Sequence, residues 1–293
     1  MDVMNRIDAA LQQALRVHGA VDAPPRLAAA VRHAVFPGGA RIRPRLCLAV
    51  ARACGDDDPA LSDAAAAAIE LLHCASLVHD DLPCFDNAAL RRGQSSVHAA
   101  YGERLAVLAG DALIVLAFQV VGAAGAKSPR RMPAVLATVA RGVGMPHGIV
   151  SGQAWECESR VALSDYQRAK TGALFAAACQ AGAEAAGSPA EPWRALGECL
   201  GEAYQVADDI RDVVADPQQL GKPIGRDVAL GRPSSASQWG LAAAVRSFQG
   251  LVAAAVEAIP ECPGQRQLQA LVRSESERLV PDAVCSDLIR EAA

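Results

Sequence analysis

The sequence predicts an all-α fold, a single-domain helical bundle over residues 1–293. Three observations carry that prediction. Hydrophobic residues make up 52% of the chain, enough to build a sizeable core. Only 4% of residues are aromatic and alanine is abundant, which favours helices and leaves little material for strands. Apolar positions recur at helical spacing, and no internal repeat or low-complexity tail interrupts the pattern. The net charge of −4 gives no electrostatic case for nucleic acid. Nine scattered cysteines without a C-x-x-C pair read as reduced, buried small hydrophobes. The N-terminus shows no basic-then-apolar signal segment, and the longest apolar run, Ala64 to Val78, is broken by Glu70 and His73 and is short for a bilayer span. A cytoplasmic protein with no integral membrane segment is the expectation.

Taken in order, residues 1–35 form two short helices parted by Pro24-Pro25. Phe36-Pro37-Gly38-Gly39-Ala40-Arg41-Ile42-Arg43-Pro44-Arg45 follows. It reads either as a polar loop or as an anion cradle, because a glycine pair admits close backbone approach and three arginines alternate after it. Ile69 to Val78 predicts a buried helix that ends in Asp80-Asp81-Leu82-Pro83-Cys84-Phe85-Asp86, with Leu90-Arg91-Arg92-Gly93 next. Carboxylates at the end of an apolar helix cost desolvation energy unless a cation neutralises them. Oxygen ligands suit a hard cation such as Mg²⁺, and the arginines suit phosphate. On a regular helix Asp80 and Asp86 lie about 240° apart, so Pro83 has to break the helix for Asp86 to swing back.

Residues 102–125 predict a long apolar helix in which Asp111 is structural, and Gly125 to Pro133 a loop. Gly152-Gln153 and Lys170-Thr171-Gly172 stand in the next segments. A second cluster, Asp208-Asp209-Ile210-Arg211-Asp212, follows an apolar approach. Asp208 and Asp212 are one helical turn apart and repel by a few tenths of a kcal/mol, roughly, unless a metal is shared. Gln205 lies about one turn before Asp208. The chain then turns polar and glycine-rich, with Lys222, Arg226 and Arg232 as lid candidates, before helical patterning resumes from Trp239. Lys127, Lys170 and Lys222 are the lysines of the chain, against 25 arginines.

Two aspartate clusters at this separation, the first followed by Leu-Arg-Arg-Gly, resemble the trans-isoprenyl diphosphate synthases, and the longer first motif resembles their bacterial branch. The resemblance implies the isoprenoid synthase bundle with a central apolar tunnel, in a homodimer. It implies condensation of isopentenyl diphosphate with an allylic diphosphate (dimethylallyl, geranyl or farnesyl). It implies Mg²⁺, three ions with diphosphate bound, held by Asp80, Asp86, Asp208 and Asp212. Arg91, Lys170, Lys222 and Arg232 then bind the allylic diphosphate, and Thr171 and Gln205 face the allylic cation. Arg43, His73 and Arg92 hold isopentenyl diphosphate. Ala40 stands where the family has a diphosphate-binding lysine, which leaves a regulatory subunit of a heteromeric synthase as an alternative. Ala75 and Ser76, five and four residues before Asp80, set the chain length. In members that stop at fifteen carbons the fifth position is aromatic. Ala75 therefore predicts geranylgeranyl diphosphate, with farnesyl diphosphate as the other product considered.

Overall fold

The computed structural model describes residues 2–18, 23–36, 38–159, 162–214, 240–280 and 285. Lys222, Arg226, Arg232 and Trp239 lie outside the described residues, and of Asp212 only the helical backbone is described. The chain divides into two compact units, Met1–Ala140 with Ala177–Ala190, and Arg141–Ala176 with Glu191–Ala293.

In the first unit, α1 (Val3–His18) and α2 (Pro25–Val35) flank the predicted Pro24-Pro25 break. The helices α3 (Ile42–Ala53) and α4 (Pro59–Asp80) follow. Pro59 opens α4 at a position where its missing N–H costs nothing, and Asp58 caps it by accepting from Leu61 N at 3.2 Å. The acidic run Asp56–Asp58 is fully engaged: Asp56 pairs with Arg6 at 3.0 Å, Asp57 with Arg131 at 2.6 Å, and Asp58 accepts from Ser128 Oγ. Those carboxylates staple α1 and the 126–131 turn onto the start of α4.

Ile69, Leu71 and Leu72 of α4 are fully buried, and each contributes about 1.5–3 kcal/mol by leaving water. The chief partner of α4 is α6 (Glu103–Gly125), and between them come a hairpin, Leu90–Arg91 with Gln94–Ser95, and α5 (Val97–Tyr101). By length and composition both α4 and α6 could cross a membrane, with 78% and 44% of their apolar windows buried in the protein. Asp111, expected to be structural within an apolar helix, is exposed on α6 and has Oδ1 3.8 Å from His79 Nε2.

The helix α7 (Met132–Val143) carries the chain on to α8 (Ile149–Ala154) in the second unit. A 3₁₀ turn (Trp155–Cys157), α9 (Leu163–Gln167) and a π-helical turn (Arg168–Gly172) follow, and then α10 (Ala173–Ala185). The remaining described α-helices are α11 (Arg194–Val214), α12 (Leu241–Glu257) and α13 (Gln265–Leu279), the first preceded by a 3₁₀ turn (Glu191–Trp193). Ala203, Val206, Ala207 and Ile210 of α11 pack against Ala244, Val245 and Phe248 of α12. The 3–4 spacing of these α11 residues leaves Gln205 and Asp208 off the packed stripe.

All nine cysteines are thiols: Cys47, Cys74, Cys179 and Cys285 are buried, whereas Cys84 and Cys157 are exposed, against expectation. Burial pushes the Cys74 thiol up to about 12 and raises Cys47 and Cys179 as well, so these three are inert at neutral pH.

Candidate active site

The first cluster is built at the C-terminus of α4. The helix stops at Asp80, with Asp81 as its C-cap. A carboxylate at a helix C-terminus opposes the macrodipole, by about 0.3–1 kcal/mol, so helix stability does not explain its presence. Past Asp81 the chain folds back as the Pro83 break requires. Asp86 N donates to Asp80 O at 2.9 Å, Asn87 N to Leu82 O at 3.0 Å and Ala88 N to Asp81 O at 3.1 Å. The main chain of Asp86 is thereby fixed beside Asp80.

Asp81 faces inward and is 2% exposed. It accepts a two-pronged bond from Arg91, whose Nη2 is also 3.9 Å from Asp80 Oδ2. Burial raises the Asp81 carboxyl above its ordinary range, opposed in part by Arg91. Asp81 thus orients Arg91, a function the sequence reading did not assign it. Arg92 and Gly93 form the two-residue hairpin loop, both with positive φ, 53° and 77°. Loops of this type prefer Asn-Gly, so an arginine at the first position carries backbone strain. Its guanidinium lies on the glycine loop: a Cβ on Gly39 would come within 2.8 Å of Arg92 Nε.

The glycine loop itself rests on a buried ion pair. Arg41, with φ of 51°, turns inward and donates to Glu70 Oε1 at 2.6 Å and to Val35 O at 2.8 Å. Arg41 is therefore committed to the interior and does not stand in for the lysine that Ala40 replaces. Beside this pair, Arg43 Nη1 lies 3.4 Å from His73 Nε2. Burial first, then Arg43, Arg92, Arg91 and Arg41, hold the His73 pKa well below 6.5. The imidazole is neutral and accepts from Arg43. The field that keeps His73 neutral is one that attracts a polyanion.

In the second unit, Gly152 of α8 passes so close to Lys170 that a Cβ would overlap its backbone nitrogen. The π turn, a feature frequent at functional sites, presents Lys170 and Thr171 together. Thr171 Oγ1 donates to Gln205 Oε1 at 3.2 Å, and Gln205 Nε2 donates to Asp209 Oδ1 at 3.2 Å. Asp209, 5% exposed, therefore fixes which way the Gln205 amide points. Asp208, about one-third exposed, pairs with Arg211 at 3.0 Å.

Residues 24–258 match the model of a known family, polyprenyl synthetase. The chain belongs to the polyprenyl synthetase family. It is 53% identical over 281 residues to a geranylgeranyl diphosphate synthase of Cereibacter sphaeroides, covering 96% of this chain and 98% of that protein. A geranylgeranyl diphosphate synthase of Rhodobacter capsulatus is 49% identical, with 96% and 97% covered. Among solved structures, a Helicobacter pylori geranyltransferase complexed with magnesium and isoprenyl diphosphate superposes with a TM-score of 0.81. It has 29% identity, over 94% of this chain and 96% of that one. The likeness bears out the all-α isoprenoid synthase fold expected from the sequence.

For this polyprenyl synthetase, the predicted site residues divide between the units. Arg43, His73, Ala75, Ser76, Asp80, Asp86, Arg91 and Arg92 fall in the first, and Lys170, Thr171, Gln205, Asp208 and Asp212 in the second. Ala75 is 2% exposed, and Ser76 Oγ donates to His73 O at 2.8 Å. Among the described residues no three His, Cys, Asp or Glu side chains are gathered as a metal nest. The donor set nonetheless suits Mg²⁺, which takes one or two carboxylates and completes its shell with water and substrate phosphate. Asp80 with Asp86, and Asp208, are carboxylates of that kind.

Proposed function

We propose that this protein is a geranylgeranyl diphosphate synthase, a prenyltransferase that condenses isopentenyl diphosphate with allylic diphosphates. The observation that carries the reading is the near-full-length similarity to two bacterial proteins of that name, in a chain that retains both aspartate clusters. The whole chain serves as one catalytic domain, soluble, cytoplasmic and homodimeric. Nine reduced thiols fit a reducing compartment.

Asp80 and Asp86, and Asp208 with Asp212, would hold Mg²⁺, which when bound neutralises the charge of the leaving diphosphate; three ions is the expected number. Arg91, kept in place by Asp81, and Lys170 bind diphosphate oxygens of the allylic substrate. Thr171 and Gln205 present oxygens to the allylic carbons, the Gln205 amide held in one orientation by Asp209. Arg43, Arg92 and neutral His73 bind isopentenyl diphosphate. No side-chain base is assigned, and the departing diphosphate takes the proton. Buried residues of α4, among them Leu71, Leu72 and Ala75, keep water from the reacting carbons.

Product length follows from α4. A chain running from Asp80 toward the N-terminus of the helix passes Ser76 and Ala75 about 6 to 7.5 Å along the axis. Alanine there leaves room for twenty carbons. The experiment is condensation of labelled isopentenyl diphosphate on dimethylallyl, geranyl and farnesyl primers, with chromatography of the products. A twenty-carbon end product is expected from the wild type and mainly farnesyl diphosphate from Ala75→Tyr. A wild type that stops at fifteen carbons refutes the assignment, and one that condenses only beside a second protein marks a regulatory subunit.

A further inference from the structure

Lys170 is held by a carboxylate that the motif residues do not include. Glu156 lies in the 3₁₀ turn after α8, and its Oε1 accepts from Lys170 Nζ at 2.5 Å and from Tyr166 OH at 2.6 Å. Its Oε2 accepts from Gln153 Nε2 at 3.1 Å. The Lys170 and Glu156 side chains are 21% and 19% exposed, so water screens the pair only in part. The ammonium also lies 5.7 Å from the centre of the Tyr166 ring, within range of a cation–π attraction. Gly152 brings α8 against the backbone of Lys170 and sets Gln153 and Glu156 on the same side, one turn apart. Among the described residues, the carboxylate is thus itself oriented by two donors while it orients a third.

A lysine side chain has high rotamer freedom, which has to be lost whenever the ammonium meets a fixed phosphate. A cation placed beforehand needs no reorganisation as charge develops on a leaving group. We propose that Glu156, braced by Gln153 and Tyr166, is the positioning residue for Lys170 and tunes this site for the allylic diphosphate. The inference rests on the prenyltransferase reading. An ammonium has three donors, so its bond to Glu156 is compatible with bonds to phosphate oxygens. Glu156 acts on the substrate through Lys170.

The test is a double-mutant cycle. Glu156→Gln removes the charge and keeps the size. It is expected to lower kcat/KM for the allylic substrate about 10-fold, close to 1.4 kcal/mol, and to leave the KM for isopentenyl diphosphate within about 2-fold. Tyr166→Phe shifts the allylic parameter the same way and less. In a Lys170→Ala background Glu156→Gln adds nothing. Equal losses on both substrates, or a full Glu156→Gln effect without Lys170, overturn the proposal, because a purely structural carboxylate gives those results. The same cycle is read by calorimetric binding of inorganic diphosphate with Mg²⁺, which needs no turnover. A wild type that binds diphosphate with the predicted coupling but does not condense refutes the prenyltransferase reading and leaves the positioning role standing.

Discussion

Replacing Arg41 by methionine tests whether the glycine loop stands on its buried ion pair. The side chains of Arg41 and Glu70 are 1% and 2% exposed, so solvent screening offers no relief. Removing one member of such a pair strands the other as a buried charge and costs about 3–5 kcal/mol. Arg41→Met also loses the bond to Val35 O and the seat under Gly38, where a Cβ would overlap the guanidinium. The upper half of the range is therefore expected. At roughly 2–4 °C per kcal/mol for a domain of this size, the melting temperature falls by roughly 8–20 °C. The KM for isopentenyl diphosphate rises, because Gly39, on which Arg92 lies, loses its support. Glu70→Leu added to Arg41→Met recovers at least half of the lost stability, since apolar pairs of similar volume replace buried ion pairs at little cost. Circular dichroism melts and steady-state kinetics read both effects. A single variant that melts within 2 °C or so of the wild type, with an unchanged KM, refutes the reasoning.

Three further outcomes are expected. Chelation abolishes turnover, and Asp80→Ala and Asp208→Ala each lower kcat by at least ~10²-fold; near-wild-type rates in either variant sink the two-cluster mechanism. Ala40→Lys lowers the KM for isopentenyl diphosphate with little change for the allylic primer, since Arg41 points inward and leaves that position open; an unchanged KM shows that other arginines already fill it. The His73 pKa is depressed in the folded protein, so its contribution to stability is present above the unfolded value near 6.5 and is lost as pH falls through that value toward the folded one. His73→Gln is expected to flatten the melting temperature between pH 7 and 5, roughly the window in which histidine titrates; a slope equal to that of the wild type assigns the acid sensitivity elsewhere.

Part of the candidate site's backbone geometry was legible in the sequence because it is carried by local spacing. The Pro83 break and the return of Asp86 to Asp80 followed from helix geometry alone, and the observed 2.9 Å bond from Asp86 N to Asp80 O realises it. The helical patterning of the first 35 residues and the break at Pro24-Pro25 were likewise set by period and proline. The sequence alone therefore determined that residues 1–35 are helical, where α4 stops and which side chains carry charge. It did not determine which of those charges are committed to one another. Arg41 and Arg43 are two residues apart, yet one is consumed by Glu70 and the other lies against His73. The tertiary structure decided that, as it decided the pairing of Asp81 with Arg91 and of Glu156 with Lys170. The physical reason is that a buried charge needs a partner within about 4 Å, and which residues come that close is set by helix packing. Glu70 was read only as a break in the apolar run; only the fold shows that it is buried and paired with Arg41, 29 residues earlier.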